Sequence, residues 1–337
     1  MAFVIEPLML KTMTSRHIIC LVLKGKKMEK VIEIDHLVKK YGNFNAVDGI
    51  SFDVKKGEVF GLLGENGAGK TTTLEIIEGL RSPDSGKVKV LGEDVTHGCA
   101  DCVKERIGVQ LQSSAYYQFL TLHEILDLFG SFYKTAKNPD ELLEMVDLLE
   151  KKKSLVANLS GGQKQRFSIV ASLVNDPDVV FLDEPTTGLD PVARRSLWEL
   201  IANIKKMGKT IVLTTHYMEE AEVLCDRIAI MDHGKIIALD ETHKLIESTE
   251  NPYKISFFSS GVSKAQIEKL RLLGNIENLA GKSNHFELKL KTQADVNKAT
   301  EIINKMNPES MTVGRASLED LFIELTGKEI KKEESDD

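Results

Sequence analysis

The chain has 337 residues, with 44 Lys+Arg against 51 Asp+Glu, a net charge of −7, 42% hydrophobic and 28% charged residues. A chain of this length buries a core without staples. Its acidity argues against a dedicated nucleic-acid binder, and no apolar run approaches the ~20 residues of a membrane-spanning helix. Four cysteines (Cys20, Cys99, Cys102 and Cys225) are too few for a disulfide framework, so a reducing cytoplasm is the expected compartment.

Residues 1–27 hold five basic residues (Lys11, Arg16, Lys24, Lys26, Lys27), one acid (Glu6) and no clear period. An extra or mis-assigned start, with Met28 the true one, is the favoured reading. A basic arm touching a membrane surface is the other. The alternating run Val31-Ile32-Glu33-Ile34-Asp35 then reads as a strand. Glu58-Val59-Phe60-Gly61-Leu62-Leu63 is a short apolar strand, and residues 71–79 follow as a helix. Residues 136–153 are charged and read as helical, suiting an inserted subdomain. Val179-Val180-Phe181-Leu182 and Thr210-Ile211-Val212-Leu213-Thr214 are continuous apolar runs, as strands buried on both faces require, with a helix over 193–207 between them. This alternation predicts a mainly parallel α/β sheet. At Pro252 the pattern changes: strands are expected over 253–258 and 285–291, and helices over 264–273, 294–306 and 318–325. That makes a small α+β module over 249–327. The charged tail 328–337 is expected to be disordered.

Gly64-Glu65-Asn66-Gly67-Ala68-Gly69-Lys70-Thr71 fits the phosphate-loop pattern G-x-x-x-x-G-K-[ST], with a strand before it and a helix after it. Glycines at 64, 67 and 69 let the backbone turn tightly around dense negative charge, and the helix start adds its positive end. Lys70 supplies a mobile positive charge to the β- and γ-phosphates, and the Thr71 hydroxyl is a Mg²⁺ ligand. Downstream, Phe181-Leu182-Asp183-Glu184 puts two acids at the end of a buried strand. Asp183 suits the Mg²⁺ shell, and Glu184 suits a base for water.

Leu159-Ser160-Gly161-Gly162-Gln163, followed by Lys164-Gln165-Arg166, is the most specific string. With the phosphate loop ahead of it, it resembles the signature of ATP-binding cassette (ABC) ATPases, and the resemblance covers roughly residues 31–239. It implies a P-loop NTPase α/β core over 28–248, with an antiparallel β subdomain and a helical subdomain inserted at about 113–170. It also implies residue roles. Tyr41 stacks on adenine, and Gln112 (with Gln110 a rival) serves Mg²⁺ at the hinge to the helical subdomain. Thr72 completes the nucleotide cradle. Asp190 in Gly188-Leu189-Asp190-Pro191 lies at the dimer interface, and His216 in Thr214-Thr215-His216 orients the attacking water. Ser160, Gly161, Gly162 and Gln163 act across the interface on ATP held by the other subunit, so two copies sandwich two ATP molecules.

Residues 113–124, with Tyr116, Tyr117, Phe119 and Leu120, match the region that receives a helix of the membrane subunit. Helical-subdomain core is an equal reading for each aromatic. Ala316-Ser317-Leu318-Glu319-Asp320-Leu321-Phe322 with Leu325-Thr326-Gly327 resembles the end of ATPase subunits serving separate, mostly exporting, permeases. The implied protein is an export ATPase, peripheral on the inner face of the cell membrane through its permease. A soluble cassette acting on ribosomes or DNA is the alternative. It is disfavoured because one phosphate loop and one signature are present, and because no coiled coil interrupts them. Cys99-Ala100-Asp101-Cys102 near His97 is a single C-x-x-C, and a chance pairing is favoured over zinc.

Overall fold

A computed structural model describes residues 29–98, 101–110, 116–260, 262–278 and 284–327. In chain order the elements begin with β1 (Lys30–Tyr41), β2 (Phe44–Lys55), β3 (Val59–Leu63), α1 (Lys70–Ile77), β4 (Ser85–Val90), β5 (Glu93–Asp94), α2 (Asp101–Lys104) and β6 (Ile107–Gln110). The middle holds α3 (Leu122–Gly130), α4 (Pro139–Glu144), α5 (Gly161–Ala171), β7 (Val179–Asp183), α6 (Pro191–Lys206), β8 (Thr210–Thr215), α7 (Met218–Leu224), β9 (Arg227–Asp232), β10 (Lys235–Glu241) and α8 (Thr242–Glu247). The last part holds β11 (Tyr253–Phe258), α9 (Lys264–Arg271), β12 (Gly274–Asn278), β13 (His285–Leu290), α10 (Gln293–Asn304), β14 (Ser310–Arg315) and α11 (Leu318–Thr326).

The large sheet has strand order β10-β9-β3-β8-β7-β6, parallel except for the β10–β9 hairpin. Every residue of β3, β7 and β8 is buried, which is why their sequences run apolar without alternation. Side chains still leave on opposite faces. Val59 and Leu63 join one core cluster, while Phe60 and Leu62 join the other. Leu63 pairs with Thr215 and Asp183 with Thr214, so β3, β7 and β8 end side by side. The crevice beyond the carboxyl ends of such strands is where open α/β sheets bind ligands.

A second, antiparallel sheet of order β2-β1-β4-β5 packs on this core, with Phe52 stacked on Phe60 at 5.1 Å. Its β1–β2 hairpin pairs Tyr41 with Phe44. The helical part is α3 to α5. The expected helical stretch over 136–153 is broken. Asn138 caps α4, whose first residue is Pro139, and Asp147 stands at φ 56°, which ends any continuous helix.

The C-terminal sheet is antiparallel, order β12-β13-β11-β14, with its own core of residues such as Phe257, Leu288, Val296 and Ile303. The last helix, α11, was grouped with this module by sequence. Its Leu318, Leu321 and Phe322 instead belong to the core cluster of the large sheet. Glu222 on α7 accepts from the Leu318 N–H, and Asp320 lies 3.4 Å from Lys254 of β11, so α11 bridges both parts.

Candidate functional site

Residues 64–69 join β3 to α1. Gly67 and Gly69 stand at φ 85° and 101°, where L side chains are strained. A Cβ on Gly69 would lie 2.2 Å from the Ala46 carbonyl oxygen, and one on Gly64 2.4 Å from that of Met231. Glycine is therefore required by space as well as by conformation. Such a turned loop leading into a helix N-terminus forms an anion-binding concavity. The adjoining cavity, about 370 Å³, is lined by Tyr41, Asn66, Gly67, Gly69, Lys70, Thr71, Thr72 and Glu184 among others. Gly64, Glu65 and Ala68 shape the loop behind it, with the Ala68 N–H donating to the Glu65 carbonyl at 3.1 Å.

Lys70 is only 4% exposed. Its Nζ donates to the carbonyls of Gly64 (2.8 Å) and Glu65 (3.1 Å) and lies 3.4 Å from Glu184 Oε1. Burial pulls its pKa down, and the Glu184 and Asp183 charges oppose that pull. The Thr71 hydroxyl donates to Asp183 Oδ1 at 3.2 Å, and the Thr214 hydroxyl donates to the same oxygen at 2.5 Å. Thr214 Oγ1 in turn accepts from the Glu184 N–H at 2.9 Å. These bonds fix the end of β7, and the chain turns there at Glu184, φ 46°, an unusual conformation for a residue with a side chain.

The Glu184 side chain is clamped. Its Oε2 lies 3.3 Å from His216 Nδ1 and accepts from the Thr187 hydroxyl at 3.1 Å. The contact with His216, aided by the Lys70 charge, overcomes burial and holds its pKa at about 2. Asp183 moves the other way, raised mainly by burial. Glu78, buried at the end of α1, is pushed up to about 8 by burial and then by the neighbouring acids Asp183 and Glu75.

The glycine-rich run opens α5. Ser160 is its N-cap: its Oγ accepts from the Gln163 N–H (3.4 Å), and Gln163 Oε1 accepts from the Ser160 N–H (3.2 Å). Asp190 caps α6 through bonds of 2.9 Å from the N–H groups of Val192 and Ala193. Ser160, Gly161, Gly162, Gln163 and Asp190 line one concavity of about 590 Å³, and none of them lines the cavity at the phosphate loop.

Residues 47–187 match the family described as ABC transporter. A linearmycin resistance ATP-binding protein of Bacillus subtilis is 36% identical over 313 residues, covering 89% of this chain and 100% of that protein. The chain belongs to the ABC transporter ATP-binding proteins. A Nod factor export ATP-binding protein I of a Rhizobium species is 38% identical over 323 residues, covering 90% of this chain and 100% of its own. Among solved structures, an ATP-binding subunit of an ABC transporter superposes with TM-score 0.58 at 31% identity, over 64% of this chain and 91% of that one. A dimeric cassette in a post-hydrolysis state with ADP and phosphate superposes with TM-score 0.56 at 26% identity, over 62% and 98%.

As an ABC transporter ATP-binding protein, the chain binds ATP and hydrolyses it. Its phosphate loop, Asp183, Glu184 and His216 converge on one cavity edge, while the signature residues stand apart from it. Gln112 lies outside the described residues, and its rival Gln110 is buried in β6 opposite Leu182. The aromatics after it divide. Tyr116 packs edge-on against Phe167 at 5.3 Å, whereas Tyr117 and Phe119 are 62% and 90% exposed. Sequence reasoning missed Phe44, which lines the nucleotide cavity beside Tyr41. The short Gly42-Asn43 turn between them was the available signal. Cys99 lies outside the described residues, and Cys102 is exposed on α2. Among the described residues no cluster of three His, Cys, Asp or Glu suits a metal, and no helix is long and apolar enough to cross a membrane.

Proposed function

We propose that the chain drives export through a separate membrane permease, as one of two copies that close head to tail on two ATP molecules. The observation that carries this is the presence, on one chain, of two concavities, of about 370 and 590 Å³, sharing none of the predicted site residues. A second copy turned end for end brings the Ser160 helix start of one chain onto the γ-phosphate held by the Lys70 loop of the other. The export names of several relatives and the C-terminal motif around Leu318 support the direction. The exposed Tyr117 and Phe119 are suited to contact the permease, which would hold the chain at the inner face of the membrane.

In this reading the loop glycines, Asn66 and Thr72 cradle the triphosphate, and Tyr41 lies against adenine. Lys70 exchanges its carbonyl partners for phosphate oxygens. Mg²⁺ neutralises charge on the β- and γ-phosphates when bound. The hard oxygens of Thr71 and Asp183, joined by a 3.2 Å hydrogen bond beside Lys70, fit that ion, and Gln112 would complete the set. Glu184 takes the proton of the attacking water. His216, now against Glu184, orients that water and the γ-phosphate. Closure is driven by ligand contacts made only in the shut state.

Sedimentation velocity tests the dimer. The full chain should be monomeric alone and dimeric with a non-hydrolysable ATP analogue and Mg²⁺. A monomer under both conditions, with the analogue bound, would overturn the head-to-tail reading.

A further inference from the structure

Glu220 is fully buried on α7. The roles assigned above make no use of it. Its carboxyl group faces the hydroxyls of Thr215 and Thr186 and the indole of Trp198, with the Arg194 charge nearby. Burial raises its pKa, and these donors oppose the rise. None of these side chains reaches a closed hydrogen bond with it, and the carboxylate oxygens, Thr186 Oγ1 and Trp198 Nε1 are all buried. A buried acid without closed hydrogen bonds costs stability, so its place in this cluster calls for a reason other than stability.

The neighbours of Glu220 come from three elements that the hydrolysis site uses. Thr186 lies two residues beyond Glu184, and the next residue, Thr187, donates to Glu184 at 3.1 Å. Thr215 immediately precedes His216. Its Oγ1 already accepts from the Tyr217 N–H at 3.0 Å, which leaves its hydrogen free for Glu220. Arg194 and Trp198 are one turn apart on α6, the helix capped by Asp190. The Arg194 guanidinium lies 4.5 Å over the Tyr217 ring, and that ring is 4.1 Å from the His216 ring.

We propose that Glu220 is a positioning residue for hydrolysis: buried where α6, which begins at Asp190, meets the two loops that carry Glu184 and His216, it keeps them in register through its charge and packing. Glu220 touches no substrate. It sets the distance between base and histidine, and it passes any displacement of the Asp190 loop to both. This rests on the roles proposed for Glu184 and His216.

Steady-state ATPase kinetics of the purified full-length chain test it, with Glu220→Ala, Glu220→Gln, Trp198→Phe and Glu184→Gln compared. Glu220→Ala should lower kcat on the order of tenfold or more, leaving the KM for ATP within about twofold, since misplacement of reacting groups affects the chemical step. Glu220→Gln keeps the shape and one acceptor oxygen and should recover most of the loss. Trp198→Phe removes a single donor, should lower kcat by roughly threefold, and carries the test if Glu220→Ala fails to fold. Unchanged kcat in Trp198→Phe and in whichever Glu220 variants fold would overturn the inference. So would a rise in KM that accounts for the whole effect, or an equal loss in Gln and Ala. If Glu184→Gln itself keeps turnover, the site reading fails instead. If Glu184→Gln is inactive and Glu220→Ala is normal, the Glu220 inference alone fails.

Discussion

Glu184→Gln removes one charge and almost no volume from a buried side chain held by His216, Thr187 and Lys70. The wild-type carboxylate is held at about 2, against an ordinary 4.5, by His216 and then Lys70. That gap of about 2.5 units is worth about 3 kcal/mol at ~1.4 kcal/mol per unit. A depressed folded value places this stability above pH 4.5 and removes it as pH falls through 2, so at neutral pH it is fully present. At so low a value the resting carboxylate is a weak base. In the proposed reading Lys70 and His216 turn to the triphosphate, which removes the two groups that hold the Glu184 pKa down. The amide has no such basicity in either state. Turnover should fall by on the order of 10² or more, the usual contribution of a positioned base. ATP binding should persist, because the loop glycines, Lys70 and Thr71 are untouched. Single-turnover hydrolysis and equilibrium binding of labelled ATP separate the two effects. Near-normal hydrolysis would remove Glu184 from the base role. Lost binding would show that its main work is to hold Lys70.

Three other outcomes follow from the same geometry. Gly69→Ala forces a Cβ to 2.2 Å from the Ala46 carbonyl at φ 101°, so ATP affinity should drop at least about tenfold, measured by displacement of a fluorescent nucleotide. Tyr41→Ala and Phe44→Ala should each raise the KM for ATP by about fivefold, from ~1 kcal/mol of aromatic contact apiece, while kcat stays near wild type. Glu78, pushed to about 8, is protonated when folded and ionised when unfolded between pH 4.5 and 8. Stability therefore declines as pH rises through that window, by at most about 5 kcal/mol. Glu78→Gln should flatten that decline in thermal melts from pH 5 to 9. An unchanged slope would show that Glu78 is solvated.

What was legible in the sequence was whatever local pattern determines. Continuous apolar runs announced β3, β7 and β8, and the glycines of the phosphate loop announced the turns they make. The strands β10, β12 and β14 were not read, because their mixed polarity suits half-exposed or edge positions without a clean alternation, whereas β9, a buried apolar run between β10 and β3, carried a signal that went unused. Phe44 was missed because only the hairpin register brings it opposite Tyr41. The docking of α11 on the large core depends on contacts distant in sequence, such as Glu222 with Leu318. Glu219 and Glu220 are adjacent acids that nothing in the sequence separates, yet the first is exposed and the second fully buried. Burial alone distinguishes them, and burial is a property of the packed fold.

The most direct test of the account mixes two defective chains. A Lys70→Ala chain keeps its signature but lacks phosphate binding. A Gly162→Asp chain keeps its phosphate loop but points a carboxylate at the partner's γ-phosphate, on a backbone where a Cβ already meets Ala193 at 3.1 Å. Each alone should be inactive. Their mixed dimer holds one site with an intact loop from one chain and an intact signature from the other. ATPase activity should therefore appear on mixing and peak near equal amounts. Two folded preparations, with the Gly162→Asp chain still binding ATP, that stay inactive at every ratio would contradict the claim that one site is built from two chains.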